Sequence, residues 1–182
     1  MTRRLFTLGL LLLFEAAGCG QEDPLAPPQI YFGQDVCHEC GMIISDDRFA
    51  AAAVVQHPDS THEPALFDDI GCLLTLERDD EAPVMTARYV RAFDGRTWLN
   101  CADAVYLHSR TLKTPMAFGV AAFATPDAAT AVQREHPGDL LDLGQLRERF
   151  RRDELGIEPL RQRDREGPGT GSSPEDADFP EA

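Results

Sequence analysis

The chain has 182 residues and a formal net charge of −14, from 17 basic and 31 acidic side chains. Contacts with nucleic-acid phosphates depend on Lys and Arg, so an acidic chain without a basic cluster is not expected to bind nucleic acid. Without its two ends, the chain has the length of one domain of ordinary size.

The N-terminus has the pattern of an export signal. Arg3 and Arg4 precede an apolar run from Leu5 to Phe14. That run is shorter than the roughly 20 residues of a membrane-spanning helix, but it suits the hydrophobic part of a signal peptide. Small residues then lead to Cys19 in the sequence AAGC, which resembles the lipobox of bacterial lipoproteins. We predict a signal peptide over residues 1–18 with lipid attachment at Cys19; the alternative is an ordinary cleaved signal peptide.

Two more segments are predicted to lie outside the folded domain. Residues 19–29 are polar and proline-rich, which is typical of a flexible tether. Residues 161–182 are rich in charge, Gly, Pro and Ser, and we predict a disordered acidic tail. The domain then covers residues 30–160. We expect a lipid-anchored envelope protein that faces the periplasm, and Gly20 after the cysteine favours the outer membrane by resemblance to enterobacterial sorting rules.

The first part of the domain has the pattern of a hairpin followed by a helix. The apolar run Phe49–Gln56 predicts a buried strand, and Glu63–Phe67 predicts the strand that returns beside it. Asp68 and Asp69 then suit an N-cap and a first helical turn. Apolar residues at helical spacing predict a helix over Ile70–Arg78.

A similar order follows. Met85–Phe93 predicts a strand, Asp94-Gly95 a hairpin turn, and Met116–Ala124 another strand. Thr125 as N-cap with Pro126 at the first helical position predicts the start of a second helix. The expected fold is therefore α+β, with two similar small ββα-type halves in one compact domain.

The segment CHECGM carries the most specific chemistry. Cys37 and Cys40 are two residues apart, so both sulfurs can face one centre. Gly41 can adopt a positive φ and bring backbone amides towards a sulfur, and Met42 adds a thioether beside them. Thiolate and thioether are soft donors, and soft donors favour Cu(I) over ions that prefer oxygen or nitrogen.

Three other interpretations of this pair remain open. A zinc knuckle would need a second pair of ligands, whereas Cys72 and Cys101 stand singly and far apart in the sequence. A thioredoxin-like dithiol would need the pair at a strand-to-helix junction, where the helix lowers a thiol pKa. A structural disulfide is the third, since cysteines pair in oxidising compartments.

The remaining candidates have simpler interpretations. Met116, by itself, is typical of a core residue at the start of an apolar strand. His38 could donate nitrogen, although a side chain between the two cysteines often points away from their centre. Cys72 is most simply interpreted as a small buried apolar residue, and Cys101 could form a disulfide with it. The other histidines are expected to be exposed polar residues: His57, His62, His108 and His136. No catalytic triad, phosphate loop or carboxylate pair stands out, so no enzymatic activity is expected.

An ordered set of motifs resembles the NosL family, the lipoprotein accessory proteins of nitrous oxide reductase maturation. It consists of CxxCGM, Phe67–Gly71, Tyr89-Val90 with Phe93, Trp98 with Ala102 and Ala104–Tyr106, and Thr114–Met116 leading to Ala121–Phe123. These motifs extend over nearly the whole domain. The family usually has Gly after the Met, whereas Ala117 and Phe118 follow here, which predicts a different loop around the metal.

The resemblance implies a Cu(I) chaperone that hands copper to an ABC-type assembly complex serving nitrous oxide reductase. It assigns the essential ligands to Cys40 and Met116, with Cys37 and Met42 as accessory donors. Such a site is under-coordinated, because transfer by ligand exchange needs room for a partner's ligand. The alternative function is an envelope thiol-disulfide oxidoreductase, which would not need Met116.

Overall fold

The computed structural model describes residues 23–94, 96–152 and 155. The predicted signal peptide, Cys19 and the predicted acidic tail lie outside these residues. Within them, no helix has the length and apolarity needed to cross a membrane.

The described residues form seven strands and three helices. In chain order they are β1 (Ala51–Gln56), β2 (His62–Phe67), α1 (Ile70–Arg78), β3 (Val84–Arg91), β4 (Trp98–Asn100), β5 (Val105–His108), β6 (Val120–Phe123), α2 (Pro126–Gln133), β7 (Asp139–Leu141) and α3 (Leu143–Arg151).

The first half of the domain is built around β1, an apolar strand with almost every residue buried. It pairs antiparallel with β2, Ala51 lying opposite Phe67, and its other edge pairs antiparallel with β3. Strand β4 completes a four-stranded sheet in the order β2-β1-β3-β4. Helix α1 connects β2 to β3 and contacts both β1 and β2.

The second half repeats this plan. Strands β5 and β6 form an antiparallel pair, α2 follows, and β7 returns to the free edge of β5, giving the order β6-β5-β7. The predicted α+β fold of two similar halves is confirmed, but the first half is ββαββ and the second is ββαβ, rather than ββα in each. The predicted boundary between the halves was wrong, since β3 belongs to the first sheet.

The two halves share one core. Phe93 donates its backbone N–H to the carbonyl of Ala122 (2.8 Å), which links the end of β3 to β6. Helix α3 contacts α1, and its Phe150 ring stacks on Phe118 at 5.8 Å between centroids. Gly71 in α1 lies directly against the Phe118 ring, because a Cβ there would come within 2.0 Å of it.

Several local predictions are confirmed and others need correction. Helix α1 has the predicted bounds, and Thr125 caps α2 by accepting from Ala128 N–H. The predicted strand over Met116–Ala124 begins only at Val120, because the residues before it form a turn in which Ala117 has φ 61°. The predicted turn at Asp94-Gly95 lies in the longer loop between β3 and β4, and Gly95 is outside the described residues.

Strand β7 and helix α3 were not predicted at all. Helix α3 begins with a capping box, in which Asp142 accepts from Gln145 N–H and the Gln145 side chain accepts from Asp142 N–H. Leu146 and Phe150 bury one face of this helix against the core.

Candidate metal centre

Three cysteine sulfurs come together at one place in the fold. The Sγ atoms of Cys37, Cys40 and Cys72 all lie within 4.8 Å of one another. With metal–sulfur distances of about 2.3 Å, sulfurs around one ion stand about 4 Å apart, so small movements would let all three bind the same ion. The three thiols are free, and Cys101, the other cysteine in the described part of the chain, is also free.

A tight turn presents Cys37 and Cys40. Val36 and Ile43 form an isolated antiparallel bridge, and within it Cys37 N–H donates to the Met42 carbonyl at 2.8 Å. Gly41 has φ 71°, a conformation that glycine adopts without steric cost. This is the positive φ predicted from the sequence, and it closes the loop so that both sulfurs face one side.

Two hydrogen bonds hold this turn against the junction of β2 and α1. His38 N–H donates to the Leu66 carbonyl at 2.8 Å. Beyond the turn, Ser45 N–H donates to the Asp68 carboxylate at 3.1 Å. The turn is therefore fixed beside the start of α1, where Cys72 lies.

Cys72 is the functional candidate that sequence reasoning missed. It is buried, as predicted, but its sulfur also faces Cys37 and Cys40. It occupies the first turn of α1, and Asp69 is the N-cap of that helix. A cysteine in a first helical turn was the available signal, since the helix dipole stabilises a thiolate there.

Hydrogen bonding within the cluster gives the thiols different pKa values. The hydrogen bond from the Cys72 thiol lowers the pKa of Cys37 to about 5 and raises the pKa of Cys72 itself. Burial raises the pKa of Cys40. Cys37 is therefore a thiolate at neutral pH, which is the form that binds metal ions.

Met116 is tied to the same helix terminus through its backbone. Its N–H donates to Oδ2 of Asp69 at 3.0 Å, while Oδ1 of Asp69 accepts from Gly71 N–H at 3.0 Å. The side chain of Met116 is half-buried and, like that of Cys40, packs against the main core. One carboxylate thus caps the helix that carries Cys72 and fixes the loop that carries Met116.

The Asp69 carboxylate is fully buried and has a third partner. The Thr114 hydroxyl donates to Oδ2 at 2.5 Å, and Thr114 Oγ1 in turn accepts from Gly119 N–H at 3.2 Å. Burial raises the pKa of Asp69 to about 6. The predicted cap is shifted by one residue: Asp69, predicted in the first turn, is the N-cap, and Asp68, predicted as the N-cap, precedes it.

The other sequence candidates lie apart from the sulfur cluster or at its edge. Met42 follows Cys40 in the turn, but its side chain is 52% exposed, and its role as an accessory donor stays a prediction. The His38 ring is edge-on to Phe67 at 6.1 Å, and it is not among the described donor atoms that cluster with the three sulfurs. Cys101 is buried elsewhere, beside Tyr106, whose hydroxyl donates to its carbonyl.

The geometry bears on the alternatives for the cysteine pair. Cys37 and Cys40 are not joined as a structural disulfide. Among the described residues the cluster supplies three cysteine ligands, one fewer than a closed structural zinc site. An α+β domain that brings three free thiols together offers the soft donors that soft metal ions prefer.

Comparison with known proteins identifies the family. The family model NosL matches residues 31–150, and the chain belongs to the NosL family. A curated relative, the copper-binding lipoprotein NosL of Stutzerimonas stutzeri, is 26% identical over 146 residues, covering 74% of this chain and 75% of that protein.

A solved structure confirms the fold. The crystal structure of the copper chaperone NosL from Shewanella denitrificans matches with a TM-score of 0.56 and 16% identity, over 65% of this chain and 94% of that one. The two relatives are named as a copper-binding lipoprotein and as a copper chaperone.

Proposed function

We propose that this protein is a metallochaperone that carries one Cu(I) ion as cargo. The observation that carries the proposal is the group of three thiols, from two separate elements, within 4.8 Å of one another. The names of the relatives from Stutzerimonas stutzeri and Shewanella denitrificans both include copper, which supports copper as the cargo here. Cys37, Cys40 and Cys72 bind the ion, and the thioether of Met116 is the fourth donor.

The donor set favours the reduced ion. Thiolate and thioether sulfurs are soft ligands that select Cu(I), and the Cys37 thiolate is already formed at neutral pH. The donors also differ in exposure, because Cys37 and Cys72 are buried whereas Cys40 and Met116 are half-buried. A partner's ligand therefore approaches from the Cys40 and Met116 side and displaces these two donors first.

The cargo is delivered to maturing nitrous oxide reductase through an ABC-type assembly complex. This part of the proposal rests on family membership and on the motifs described above. A lipid on Cys19 anchors the protein in the cell envelope, facing the periplasm, with the outer membrane as its expected location. The curated relative is itself named a lipoprotein, which supports the anchor.

An anaerobic Cu(I) titration against a competing chelator tests the binding site. The protein is the full chain without its predicted signal peptide, as wild type and as Cys40→Ser, Cys72→Ser and Met116→Leu. One tight equivalent is expected, weakened by each substitution. The matched controls are Cys101→Ser and Met85→Leu, which remove a buried thiol and a buried thioether from elsewhere in the fold.

Two outcomes would contradict this assignment. If Met116→Leu binds Cu(I) with wild-type affinity, the thioether is not a ligand and the site consists of cysteines alone. If Cys101→Ser weakens binding as much as Cys72→Ser, the loss reflects general damage to the fold rather than a lost ligand.

A thiol-disulfide oxidoreductase is the second candidate, because the low pKa of Cys37 also suits a nucleophilic thiolate. Exchange with a small peptide disulfide separates the two functions. An oxidoreductase exchanges at the same rate in wild type and Met116→Leu and needs no copper. A chaperone depends on Met116 for copper binding, and bound copper blocks its thiols.

Delivery is tested in cells that produce nitrous oxide reductase. Deleting the gene should lower the copper content of the purified reductase while the copper content of another envelope cuproenzyme stays unchanged. Complementation with Cys19→Ser tests the need for the anchor, and fractionation of the wild type tests its location. Normal copper in the reductase of the deletion strain would refute this recipient.

A further inference from the structure

Exposed apolar side chains are concentrated near the start of the described chain. Among the described residues, six large apolar side chains are exposed, and five of them lie between residues 25 and 43. Three of the five belong to the tight turn of the metal centre: Val36, Met42 and Ile43. The other two, Leu25 and Tyr31, precede that turn, and neither is a copper ligand in the proposed site.

The segment of residues 25–32 is bound to the first sheet. The Tyr89 hydroxyl donates to the Leu25 carbonyl at 2.5 Å, and the guanidinium of Arg91 lies 5.9 Å from the centroid of the Phe32 ring. Tyr89 and Arg91 are two residues apart in β3, so their side chains lie on the same face of the sheet. The segment therefore runs across this face.

One side of the segment faces the domain and the other faces outward. Ile30 is buried, and Phe32 packs against the core. Tyr31, between these two inward side chains, is 61% exposed. Its backbone is fixed, because Tyr31 N–H donates to the Asp35 carboxylate at 2.7 Å. Tyr31 and the exposed Leu25 form the N-terminal apolar surface.

This surface lies close in the chain to Cys19, the proposed site of lipid attachment. Only the linker of residues 20–22 separates Cys19 from Asp23, the first described residue. Asp23 is itself held, since its carboxylate accepts from Leu25 N–H at 2.9 Å and its carbonyl accepts from Ala26 N–H at 3.0 Å. The chain from Cys19 to Asp23 extends at most about 14 Å, so a lipid on Cys19 keeps the surface near the bilayer.

Given the lipid anchor of the proposed function, on which this inference rests, we propose that the N-terminal apolar surface contacts the lipid bilayer. The domain then lies against the membrane. Tyrosine is typical of the membrane–water interface, and leucine adds apolar area that leaves water in the headgroup region. Because the short linker gives the surface a high effective concentration at the bilayer, a weak contact is sufficient.

The charges near this surface favour lipid without net charge. Residues 20–36 contain the acids Glu22, Asp23 and Asp35 and neither Lys nor Arg. Attraction to anionic lipid depends on basic side chains, so this segment has no electrostatic preference for such lipid. The contact is therefore apolar, and zwitterionic phosphatidylcholine is a suitable probe.

The metal centre is then held near the membrane. Gly33 N–H donates to the Ile44 carbonyl at 2.8 Å, which joins this segment to the chain that follows the cysteine turn. Cys37 follows Tyr31 by six residues, which span at most about 22 Å. A bound copper ion therefore stays within reach of an acceptor in the same membrane.

Fluorescence quenching by brominated lipid tests the contact. The lipidated chain is purified from membranes and placed in vesicles of brominated phosphatidylcholine, as Tyr31→Trp and as Val84→Trp. These positions are matched in exposure, at 61% and 65%, and Val84 begins β3 whereas Tyr89 lies near its other end. Trp98, the only native tryptophan, gives both variants the same background. Loss of emission and a blue shift are expected for Tyr31→Trp and not for Val84→Trp.

A longer linker separates the contact from simple proximity. An insertion of about 12 Gly and Ser residues between Glu22 and Asp23 lengthens the linker and leaves the apolar surface intact. Tyr31→Trp should stay quenched with this insertion, because the apolar contact itself holds the domain at the bilayer. Adding Leu25→Ser should then reduce the quenching.

Three results would overturn the proposal. The first is equal quenching of Tyr31→Trp and Val84→Trp. The second is quenching that the insertion abolishes, since the short linker alone would then keep the domain near lipid. The third is an emission shift of Tyr31→Trp that depends on protein density and not on bromine, which would show that a second copy of the chain covers the surface.

Flotation with vesicles checks the anchor separately. The wild type should float with the lipid, and Cys19→Ser should not. A wild type that does not float refutes the anchor and this contact with it, whereas one that floats without quenching of Tyr31→Trp refutes the contact alone. None of these readouts involves copper, so their failure is separate from any failure of the copper site.

Discussion

Replacing Asp69 with asparagine separates the two tasks of this buried carboxylate. Asparagine is as good an N-cap as aspartate, so its oxygen can keep the hydrogen bond with Gly71 N–H. The other end of the side chain becomes an NH₂ group, which has no lone pair for the Met116 N–H that now donates to Oδ2. The Thr114 hydroxyl can rotate, but the backbone of Met116 loses its acceptor.

The expected change in stability is small because two terms oppose each other. Burial raises the pKa of Asp69 to about 6 from its usual 3.8. At about 1.4 kcal/mol per pKa unit, ionisation in the fold costs about 3 kcal/mol, which neutral asparagine avoids. The orphaned N–H of Met116 costs about 1–3 kcal/mol. The free energy of unfolding should therefore change by less than about 2 kcal/mol.

Copper binding should respond more strongly than stability. A hydrogen bond to a charged acceptor contributes about 1.5–3 kcal/mol, and this stabilisation of the Met116 loop is lost in the variant. Each 1.4 kcal/mol of binding free energy is a factor of ten in affinity. We expect Asp69→Asn to bind Cu(I) at least about tenfold more weakly in chelator competition. Methyl-labelled methionine should show a smaller copper-induced shift at Met116, while buried Met85 stays unchanged.

Asp68→Asn is the matched control, since it neutralises the adjacent buried carboxylate, which accepts from Ser45 rather than from the Met116 loop. It should leave the copper-induced shift of Met116 as in the wild type. Asp69→Asn with wild-type Cu(I) affinity and an unchanged Met116 shift would refute the argument that this carboxylate positions the loop.

Three further substitutions test other parts of the structure. Cys72→Ser should weaken Cu(I) binding at least about tenfold in the chelator assay while the circular dichroism stays that of the wild type; undiminished affinity would remove Cys72 from the ligand set. Gly71→Ala places a Cβ against the Phe118 ring and should destabilise the domain by about 1–3 kcal/mol in urea unfolding, so an unchanged midpoint would contradict the close packing. Glu77→Gln leaves the two arginines that it bridges without their shared partner and should cost about 3 kcal/mol in the same assay, whereas a neutral effect would show that solvent already screens them.

Sequence patterns were most informative where structure depends on neighbouring residues. The bounds of α1, the Thr125 cap of α2 and the hairpin of β1 and β2 all follow from apolar spacing and capping chemistry within a few residues. The capping box at Asp142 is an equally local signal, and α3 could have been predicted from it.

Local sequence patterns were misleading where contacts with distant residues determine the backbone conformation. The apolar run that begins at Met116 reads as a continuous strand, yet its first residues form a turn. The reason is Asp69, which comes from the other half of the chain and accepts hydrogen bonds from Thr114 and Met116. No pattern within the run itself contains that partner.

The sequence by itself determined that two thiols face one centre, because the spacing of Cys37 and Cys40 allows one tight turn with Gly41 at positive φ. It also indicated the NosL family through motifs in a fixed order. Only the tertiary structure decided that Cys72 completes the group. The spacing of residues along the chain limits distances only between near neighbours in sequence. The turn with Cys37 and Cys40 lies beside α1 because the β1–β2 hairpin and the shared core bring these distant parts of the chain together.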